Sequence, residues 1–199
     1  MVFLPTGDRR VLALNGATGK VIWEHSISGP VSFSPAVTEN LVYVGLRDGR
    51  LLAINKHNGQ LNWSFDAEDP ILSAPVVHEG TLYFSSMDGR IHAIDATTGT
   101  SRWTVQIDGR YPSSAAINSA VVAFTASDNR LHILDRATGL ELLAYALVAP
   151  THSSPAIQGD NVITSNLTGG MWAINWSATQ NHWERRWYTF RFQMFLWGI

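Results

Sequence analysis

The chain has 199 residues, 45% of them hydrophobic and 15% charged, and a formal net charge of −2 at pH 7. This balance is typical of a folded globular protein, and it excludes the strongly basic surface with which nucleic-acid-binding proteins hold phosphates, so we expect no nucleic-acid partner. The sequence contains no cysteine, which excludes disulfides, thiolate metal sites and cysteine nucleophiles. It also lacks an apolar run long enough to predict a transmembrane helix, and residues 1–11 lack the pattern of a secretory signal peptide.

The predicted elements follow a fixed order that is clearest over residues 41–79. Two apolar runs rich in β-branched residues, LVYVGL (41–46) and RLLAIN (50–55), predict a pair of strands. The dipeptide Asp48-Gly49 between them predicts a hairpin with a type I′ turn, which requires positive φ at both central residues. A third strand is predicted over LNWSFDA (61–67) and a fourth over SAPVVHE (73–79), whose proline stands near the start of the run. Four short strands in about 40 residues indicate one blade of a β-propeller.

The same order recurs along the chain with a period of 40 residues and without insertions. Aspartate marks the predicted hairpin in four copies, at Asp8, Asp48, Asp88 and Asp128, and Thr168 takes the fifth place. A second set recurs in the connection that follows: Asn15, Gly19 and Trp23; Asn55, Gly59 and Trp63; Asp95, Gly99 and Trp103; Asp135 and Gly139, with Leu143 in place of the tryptophan; and Asn175 and Trp183. We therefore predict an all-β protein, a β-propeller of about five four-stranded blades over residues 1–187, with blades at about 1–27, 33–67, 73–107, 113–147 and 153–187.

The aspartate of the string AIDATTGTSRW (93–103) has two interpretations, a catalytic carboxylate or a turn residue. Asp95 ends a predicted strand, where a short acceptor side chain can take backbone N–H bonds from the next residues and close an Asx turn. Gly99 would supply positive φ at the end of that turn, and Trp103 is suited to filling the space between neighbouring blades. Asparagine replaces this aspartate in three of the five copies and cannot act as a carboxylate base, so the structural interpretation is favoured.

The repeated string Ala-x-Asp/Asn-x-x-Thr-Gly-x-x-x-Trp resembles the tryptophan-docking motif of the pyrroloquinoline-quinone (PQQ)-like β-propeller repeat family. It stands as ALNGATGKVIW (13–23), AINKHNGQLNW (53–63) and AIDATTGTSRW (93–103), and in weaker form as ILDRATGLELL (133–143) and AINWSATQNHW (173–183). The resemblance implies blades whose tryptophans dock onto the adjacent blade, and an extracytoplasmic protein, periplasmic or at the cell surface. The family includes quinoprotein alcohol and glucose dehydrogenases, a cofactor-free outer-membrane assembly factor that scaffolds β-barrel insertion, and sensor ectodomains.

Two departures from the family pattern concern the ends of the propeller. Family propellers usually have seven or eight blades, whereas this sequence supplies about five. Met1 aligns with Leu41, inside the second strand of a blade, so the first predicted blade lacks its innermost strand. An open arc, or a fragment of a longer propeller, is favoured over a ring that the C-terminal tail closes. The open blade edges would allow self-association.

The C-terminal tail, residues 188–199, is predicted to be amphipathic. A helical stripe is favoured, and it comprises Trp183, Trp187, Phe190, Met194 and Trp197. The alternation of Phe190, Phe192, Met194 and Leu196 with other residues leaves a strand open as the alternative. Three roles are considered for the tail: covering a bare blade edge, which is favoured, docking a partner, and contact with a membrane interface.

No catalytic or metal-binding constellation stands out from the repeats, and we predict neither kind of residue. His92 and His132 occupy a repeat position that elsewhere holds Leu12, Leu52 and Trp172, which indicates packing rather than metal binding. Residues that depart from the repetition are the candidates for a binding surface: Arg110 and Tyr111 first, and Lys56, His57, Trp172 and Trp176 more weakly. Cofactor-binding residues remain unassigned.

The favoured function is a non-enzymatic, cofactor-free module that binds a protein partner or acts as a scaffold. The first alternative is a piece of a PQQ-dependent dehydrogenase, for which the resemblance implies PQQ, a calcium site of carboxylates and an amide, a catalytic aspartate and a stacking tryptophan. The second alternative is the sensor ectodomain of a larger protein.

Overall fold

The structure is a computed structural model that describes residues 1–151 and 153–180. In this part of the chain the backbone forms eighteen β-strands and one short helix, α1 (Ser177–Gln180). The strands are β1 Val2–Thr6, β2 Arg10–Leu14, β3 Val21–Ser26, β4 Ala36–Val37, β5 Leu41–Gly45, β6 Arg50–Asn55, β7 Leu61–Asp66, β8 Val76–His78, β9 Thr81–Ser85, β10 Arg90–Asp95, β11 Ser101–Gln106, β12 Ala116–Ile117, β13 Val121–Thr125, β14 Arg130–Asp135, β15 Glu141–Ala146, β16 Ala156–Gln158, β17 Asn161–Ser165 and β18 Met171–Asn175. The predicted all-β class is confirmed.

Strands that follow one another in the chain pair antiparallel and form five separate sheets. Three sheets have four strands, β4–β7, β8–β11 and β12–β15, and the sheets β1–β3 and β16–β18 have three. The predicted propeller architecture with five blades is confirmed. In the sheet β1–β3, β1 corresponds to the second strand of the other blades, as the alignment of Met1 with Leu41 predicts. In the fifth blade, the position of the last strand falls on residues outside the described part of the chain.

The first strands of neighbouring blades lie close together, since β4 contacts β8 and β12 contacts β16. These strands therefore form the inner end of each blade. The second strands β5, β9 and β13 are buried along their whole length. A blade that packs against a neighbour on both faces buries both faces of its middle strands, which is why these sequences are continuous apolar runs rather than alternating ones.

The hairpins between the second and third strands differ from the prediction. Leu46 N donates to Arg50 O at 2.8 Å and Gly49 N donates to Leu46 O at 3.2 Å. Gly49 has a φ of 92°, and Asp48 is not among the residues with positive φ. The connection is therefore a three-residue loop, a type I turn followed by a left-handed residue, and the predicted type I′ turn is wrong. The Asp48 side chain gives the reason, because its Oδ1 accepts from Arg50 N at 3.2 Å and holds the aspartate in the turn at negative φ.

The C-terminal tail lies outside the described residues, together with Trp183, and so do its predicted helix and any closure of the ring. Within residues 1–151 and 153–180, no helix is long and apolar enough to cross a membrane.

Candidate functional site

The first three joints between neighbouring blades are each built from a tryptophan of one blade and a glycine of the next. Gly59 has a φ of 74°, and a Cβ placed on it would lie 2.8 Å from Cδ2 and Cε3 of Trp23. Trp63 covers Gly99 in the same way at 2.7 Å, and Trp103 covers Gly139 at 2.8 Å. Only glycine fits such a position, because its backbone is left-handed and the indole ring leaves no room for a side chain.

The indole N–H groups differ between the joints. Trp23 Nε1 donates to Lys56 O at 2.8 Å, and Trp103 Nε1 donates to Arg136 O at 3.0 Å. The equivalent carbonyl between them belongs to Ala96, and the hydroxyl of Tyr43 donates to it at 2.9 Å. Trp63 Nε1 is buried without a hydrogen-bond partner among the described residues. The tyrosine therefore takes the acceptor that the second tryptophan would use.

The asparagine or aspartate that precedes each of these glycines closes a turn. Asp95 Oδ1 accepts from the backbone N–H groups of Thr97 at 3.0 Å and Thr98 at 2.9 Å. Asn15 Oδ1 accepts in the same way from Ala17 at 2.9 Å and Thr18 at 3.0 Å. The repeat equivalents Asn55 and Asp135 make the same pair of bonds. These side chains hold the backbone of the turns through hydrogen bonds.

The protonation of Asp95 fits this arrangement. A hydrogen bond from Arg102, whose Nη2 lies 2.8 Å from Oδ2, together with the backbone N–H groups of Thr98 and Thr97, lowers the pKa of Asp95 to about 2. Hydrogen bonds from the Thr138 hydroxyl and the following backbone likewise lower the pKa of Asp135. A carboxylate stabilised as an anion in this way is a weak general base.

The two buried histidines occupy equivalent places on the third strands of blades three and four. His92 is 3% exposed and stacks on Phe84 with ring centroids 4.8 Å apart. Burial lowers the pKa of His92 to about 4, so the ring is neutral at pH 7. Its Nε2 lies 3.3 Å from Ser86 Oγ, and its Nδ1 lies 3.2 Å from Thr104 Oγ1.

His132 has the same burial but carboxylate neighbours. It stacks on Phe124, its Nε2 lies 3.0 Å from Asp128 Oδ2 and its Nδ1 lies 2.6 Å from Glu141 Oε1. Both ring nitrogens are thus engaged within the protein. Among residues 1–151 and 153–180, no group of three or more His, Asp or Glu side chains could hold a metal ion.

A cleft of about 420 Å³ lies at the inner ends of blades two to five, and we call it the axial cleft. Its lining is rich in hydroxyl groups and consists of Ser32, Phe33, Arg47, Leu72, Tyr111, Pro112, Ser113, Ser114, Thr125, Thr151 and Ser154. Hydroxyl groups link the blades around it. Ser114 Oγ accepts from Ala74 N at 2.9 Å, and Thr125 Oγ1 donates to Ser153 O at 2.9 Å.

Of the predicted binding-surface candidates, Tyr111 is the one that lines the axial cleft. Its side chain is 49% exposed, and its backbone has a φ of 50°, which is rare for a bulky residue. The neighbouring Arg110 fixes this turn, because its backbone N donates to Ser127 Oγ at 2.9 Å and its carbonyl accepts from Ser127 N at 2.9 Å. Backbone strain of this kind clusters at ligand-binding sites.

The weaker candidates lie elsewhere. Trp172 is 8% exposed and packs between the fourth and fifth blades. Trp176 packs against the same cluster. The Lys56 carbonyl accepts from the first docking tryptophan, and His57 N donates to Asn55 Oδ1 at 2.9 Å, so both belong to a blade joint.

Sequence reasoning missed the hydroxyl-bearing lining of the axial cleft. A signal is present in the sequence, because serine recurs shortly before the first strands of several blades, and Ser32, Ser113, Ser114 and Ser154 from these segments line the cleft.

Comparisons with known proteins agree with the fold. The sequence profile of the family described as outer membrane protein assembly factor BamB matches residues 7–194. The crystal structure of BamB from Moraxella catarrhalis superposes with a TM-score of 0.76 at 20% identity, over 87% of this chain and 54% of that chain. The crystal structure of the computationally designed Ika8 protein superposes with a TM-score of 0.72 at 18% identity, over 85% of this chain and 53% of that chain. The chain thus spans about half the length of these two structures. No curated protein sequence matches it.

Proposed function

The chain belongs to the PQQ-like β-propeller repeat family of the outer membrane assembly factor BamB type, and on that premise we propose that it is a non-enzymatic scaffold that binds a protein partner at the axial cleft. We propose further that it works outside the cytoplasm without a cofactor, as assembly factors of this family do.

The observation that carries the proposal is the position of Tyr111. It is a half-exposed aromatic side chain, held in a left-handed backbone at the rim of a cleft that several blades share. Tyrosine and arginine are enriched at the energetic centres of protein interfaces, because they combine a large contact area with a hydrogen-bonding tip. Arg47 lines the same cleft, and its Nε donates to Ser32 Oγ at 2.6 Å.

The side chains of the axial cleft do not suit a dehydrogenase site. Among residues 1–151 and 153–180, its lining holds serine and threonine hydroxyl groups but no aspartate, glutamate or asparagine. The resemblance to quinoprotein dehydrogenases implies a calcium site of carboxylates and an amide, and these residues do not supply one. The repeated aspartates near the blade joints already hold backbone turns.

Site-specific photo-crosslinking tests the proposal. A photoreactive phenylalanine analogue at position 111, in the full chain expressed in its native host, should give one predominant adduct with another protein. The same analogue at position 140 is the control, because Leu140 is also exposed but lies in the turn between β14 and β15. The Tyr111→Gly variant should fold at least as well, since glycine relieves the positive φ, and should lose the partner.

Two outcomes would contradict the proposal. One is equal adduct formation at positions 111 and 140. The other is thermal stabilisation of the purified chain by PQQ and calcium, accompanied by quinone-dependent reduction of a dye.

A further inference from the structure

The axial cleft carries one positive charge and no negative charge in the part of its lining that the structure describes. Arg47 is the charged side chain there, and it is exposed in the hairpin loop between β5 and β6. Four uncharged residues occupy this repeat position in the other blades: Gly7, Met87, Ser127 and Leu167. The hairpin therefore does not require the charge.

The guanidinium group of Arg47 has hydrogen-bond donors to spare. Its Nε donates to Ser32 Oγ at 2.6 Å, which orients the planar group. Among the described residues, nothing accepts a hydrogen bond from Nη1 or Nη2, and no carboxylate forms an ion pair with Arg47. Arg10, Arg50 and Arg90, by contrast, each pair with a carboxylate of the chain itself. Both Nη groups of Arg47 are therefore available to a ligand.

Two half-exposed aromatic side chains, Phe33 and Tyr111, line the cleft together with this cation. The exposure of Tyr111 has a cause in the joint beneath it. Its repeat equivalent Ile71 is buried and packs over Gly45, where an added Cβ would lie 2.7 Å from Ile71 Cγ2. Ser85 replaces this glycine in the third blade and is itself buried. It takes the space that isoleucine has in the second blade, so Tyr111 lies outside the joint.

A single guanidinium group suits a ligand with a single negative charge. A carboxylate carries one charge, and its two oxygens match the Nη1 and Nη2 donors as a bidentate pair. A phosphate group carries close to two charges, and phosphorylated segments are recognised by clusters of arginines. One arginine therefore favours a carboxylate over a phosphate.

The surroundings of Arg47 favour a side-chain carboxylate over the carboxylate at the end of a chain. Terminal carboxylates are typically held by nests of backbone N–H groups. Around the axial cleft, Ala74 N already donates to Ser114 Oγ at 2.9 Å, and Thr125 N donates to Ser113 Oγ at 3.1 Å. An aspartate or glutamate side chain can reach the guanidinium group without such a nest.

The aromatic side chains indicate what flanks that carboxylate. Large apolar groups placed on Phe33 and Tyr111 would remove apolar surface from water. They would also exclude water from the ion pair with Arg47, which strengthens the attraction between the two charges. An isolated carboxylate in a polar segment would gain neither advantage.

We infer that the axial cleft recognises, in its protein partner, an extended segment with one Asp or Glu side chain flanked by large apolar side chains, and that Arg47 binds the carboxylate. This inference rests on the proposed function, because it names the chemistry of the partner at the same cleft.

Synthetic peptides test the charge and its neighbours. The probe is Gly-Phe-Glu-Phe-Gly, acetylated at its N-terminus and amidated at its C-terminus, so that glutamate is its one charge. The full chain should bind it one to one, about tenfold or more tightly than the same peptide with glutamine in place of glutamate. Raising the salt concentration from about 50 to about 500 mM should reduce this difference, because salt screens a partly exposed ion pair.

Variants of the protein locate the site. Arg47→Gln should abolish the preference for the glutamate peptide, and Arg47→Lys should retain part of it, because lysine keeps the charge but not the bidentate geometry. Neither substitution removes the bond from the backbone N of residue 47 to Pro30 O. Arg130→Gln is the matched control and should change nothing. Arg130 is also an exposed hairpin arginine without an ion pair among the described residues, and it is not among the residues that line the axial cleft.

The photo-crosslinker at position 111 extends the test to the partner itself. Arg47→Gln should lower the yield of the predominant adduct about fivefold or more, and Arg130→Gln should leave it unchanged. Arg47→Glu should abolish the adduct, and an Asp→Arg or Glu→Arg substitution in the crosslinked segment of the partner should restore it.

Three results would overturn the inference. The first is equal binding, or no binding, of the glutamate and glutamine peptides. The second is tighter binding of a glutamine peptide that has a free C-terminal carboxylate, or of a phosphoserine peptide, which would assign the charge to another source. The third is an adduct at position 111 whose yield does not depend on Arg47, and this result leaves the proposed function standing. The absence of a predominant adduct at position 111 would instead contradict the proposed function, whatever the peptides show.

Discussion

At the scale of single residues, repeat position separates side chains that make turns from side chains that could do chemistry. Asp95 accepts the same backbone N–H bonds as Asn15, so the negative charge is not what its position requires. Leucine occupies the repeat position of His92 in two other copies. Histidine differs from leucine there because its ring can take up a proton. Burial makes that proton unfavourable in the folded state.

His92 should make the protein less stable in mild acid. Its pKa is about 4 in the folded state and 6.5 as the ordinary value, so the unfolded chain binds the proton first. Titration of His92 therefore leaves the free energy of unfolding unchanged above pH 6.5. As the pH falls from 6.5 to 4, the free energy of unfolding decreases by about 3 kcal/mol. His92→Leu should remove this part of the pH dependence in urea unfolding measured from pH 7 to 4.

The control for this measurement is Val42→Ala, which shortens a buried side chain in another core cluster and removes no titrating group. The free energy of unfolding of this variant should fall by a similar amount at every pH. Parallel curves for the wild type and His92→Leu over this range would contradict the prediction.

At the scale of elements, the unit that repeats is a joint between two blades. A tryptophan on the last strand of one blade covers a glycine in a turn of the next, and the turn is held by the preceding Asn or Asp. The glycine meets two requirements at once, a left-handed backbone and an open surface for the ring. These requirements can be separated, because Gly80 has only the first of them.

Gly99→Ala should destabilise the protein more than Gly80→Ala. Both glycines are left-handed, with φ of 74° and 72°, so each substitution should cost about 1 kcal/mol for the backbone. A Cβ on Gly99 would also lie 2.7 Å from the Trp63 ring, whereas nothing lies within 4 Å at Gly80. We expect an excess of about 2 kcal/mol for Gly99→Ala in urea unfolding.

The Trp63→Leu background supplies the control for the contact. There the excess cost of Gly99→Ala over Gly80→Ala should shrink to less than about 0.5 kcal/mol, because the ring is gone. Equal costs for the two glycine substitutions in the wild-type background would show that the ring does not constrain the joint.

At the scale of the whole molecule, the structure is a row of similar blades in which the core is shared between neighbours. Each apolar cluster draws residues from adjacent blades, as with Ala13 and Val42 in one and Ala93 and Val122 in another. Stability in such an array is approximately a sum of blade terms and joint terms.

Substitutions in separate joints should therefore add. Trp23→Leu and Trp103→Leu should each cost about 2 kcal/mol, and the double variant should cost their sum within about 0.5 kcal/mol. The two tryptophans pack against different clusters. Trp103→Leu combined with Tyr83→Leu is the control for coupling, because their ring centroids are 5.9 Å apart within one joint. A coupling energy above about 1 kcal/mol between Trp23→Leu and Trp103→Leu would contradict the prediction that substitutions in separate joints add.

The sequence predicted the features that depend on few and local contacts. The 40-residue period predicted the number of blades. The exchange of Asn for Asp between copies predicted turns whose hydrogen bonds span two or three residues. The hairpin type failed, although its contacts are also local. The Asp-Gly pair suits both a type I′ turn and a three-residue loop, and the bond from Arg50 N to Asp48 selects the second.

By itself, the sequence determined the blade, its turns and the order of strands, because backbone hydrogen bonds within one repeat specify them. Tertiary structure alone decided which side chains are accessible. Trp172 and Tyr111 both depart from the repeat, but the first is buried between two blades and the second lines the axial cleft. The exposure of a side chain depends on its packing against residues about 40 positions away in the chain, and the local sequence pattern does not predict that packing.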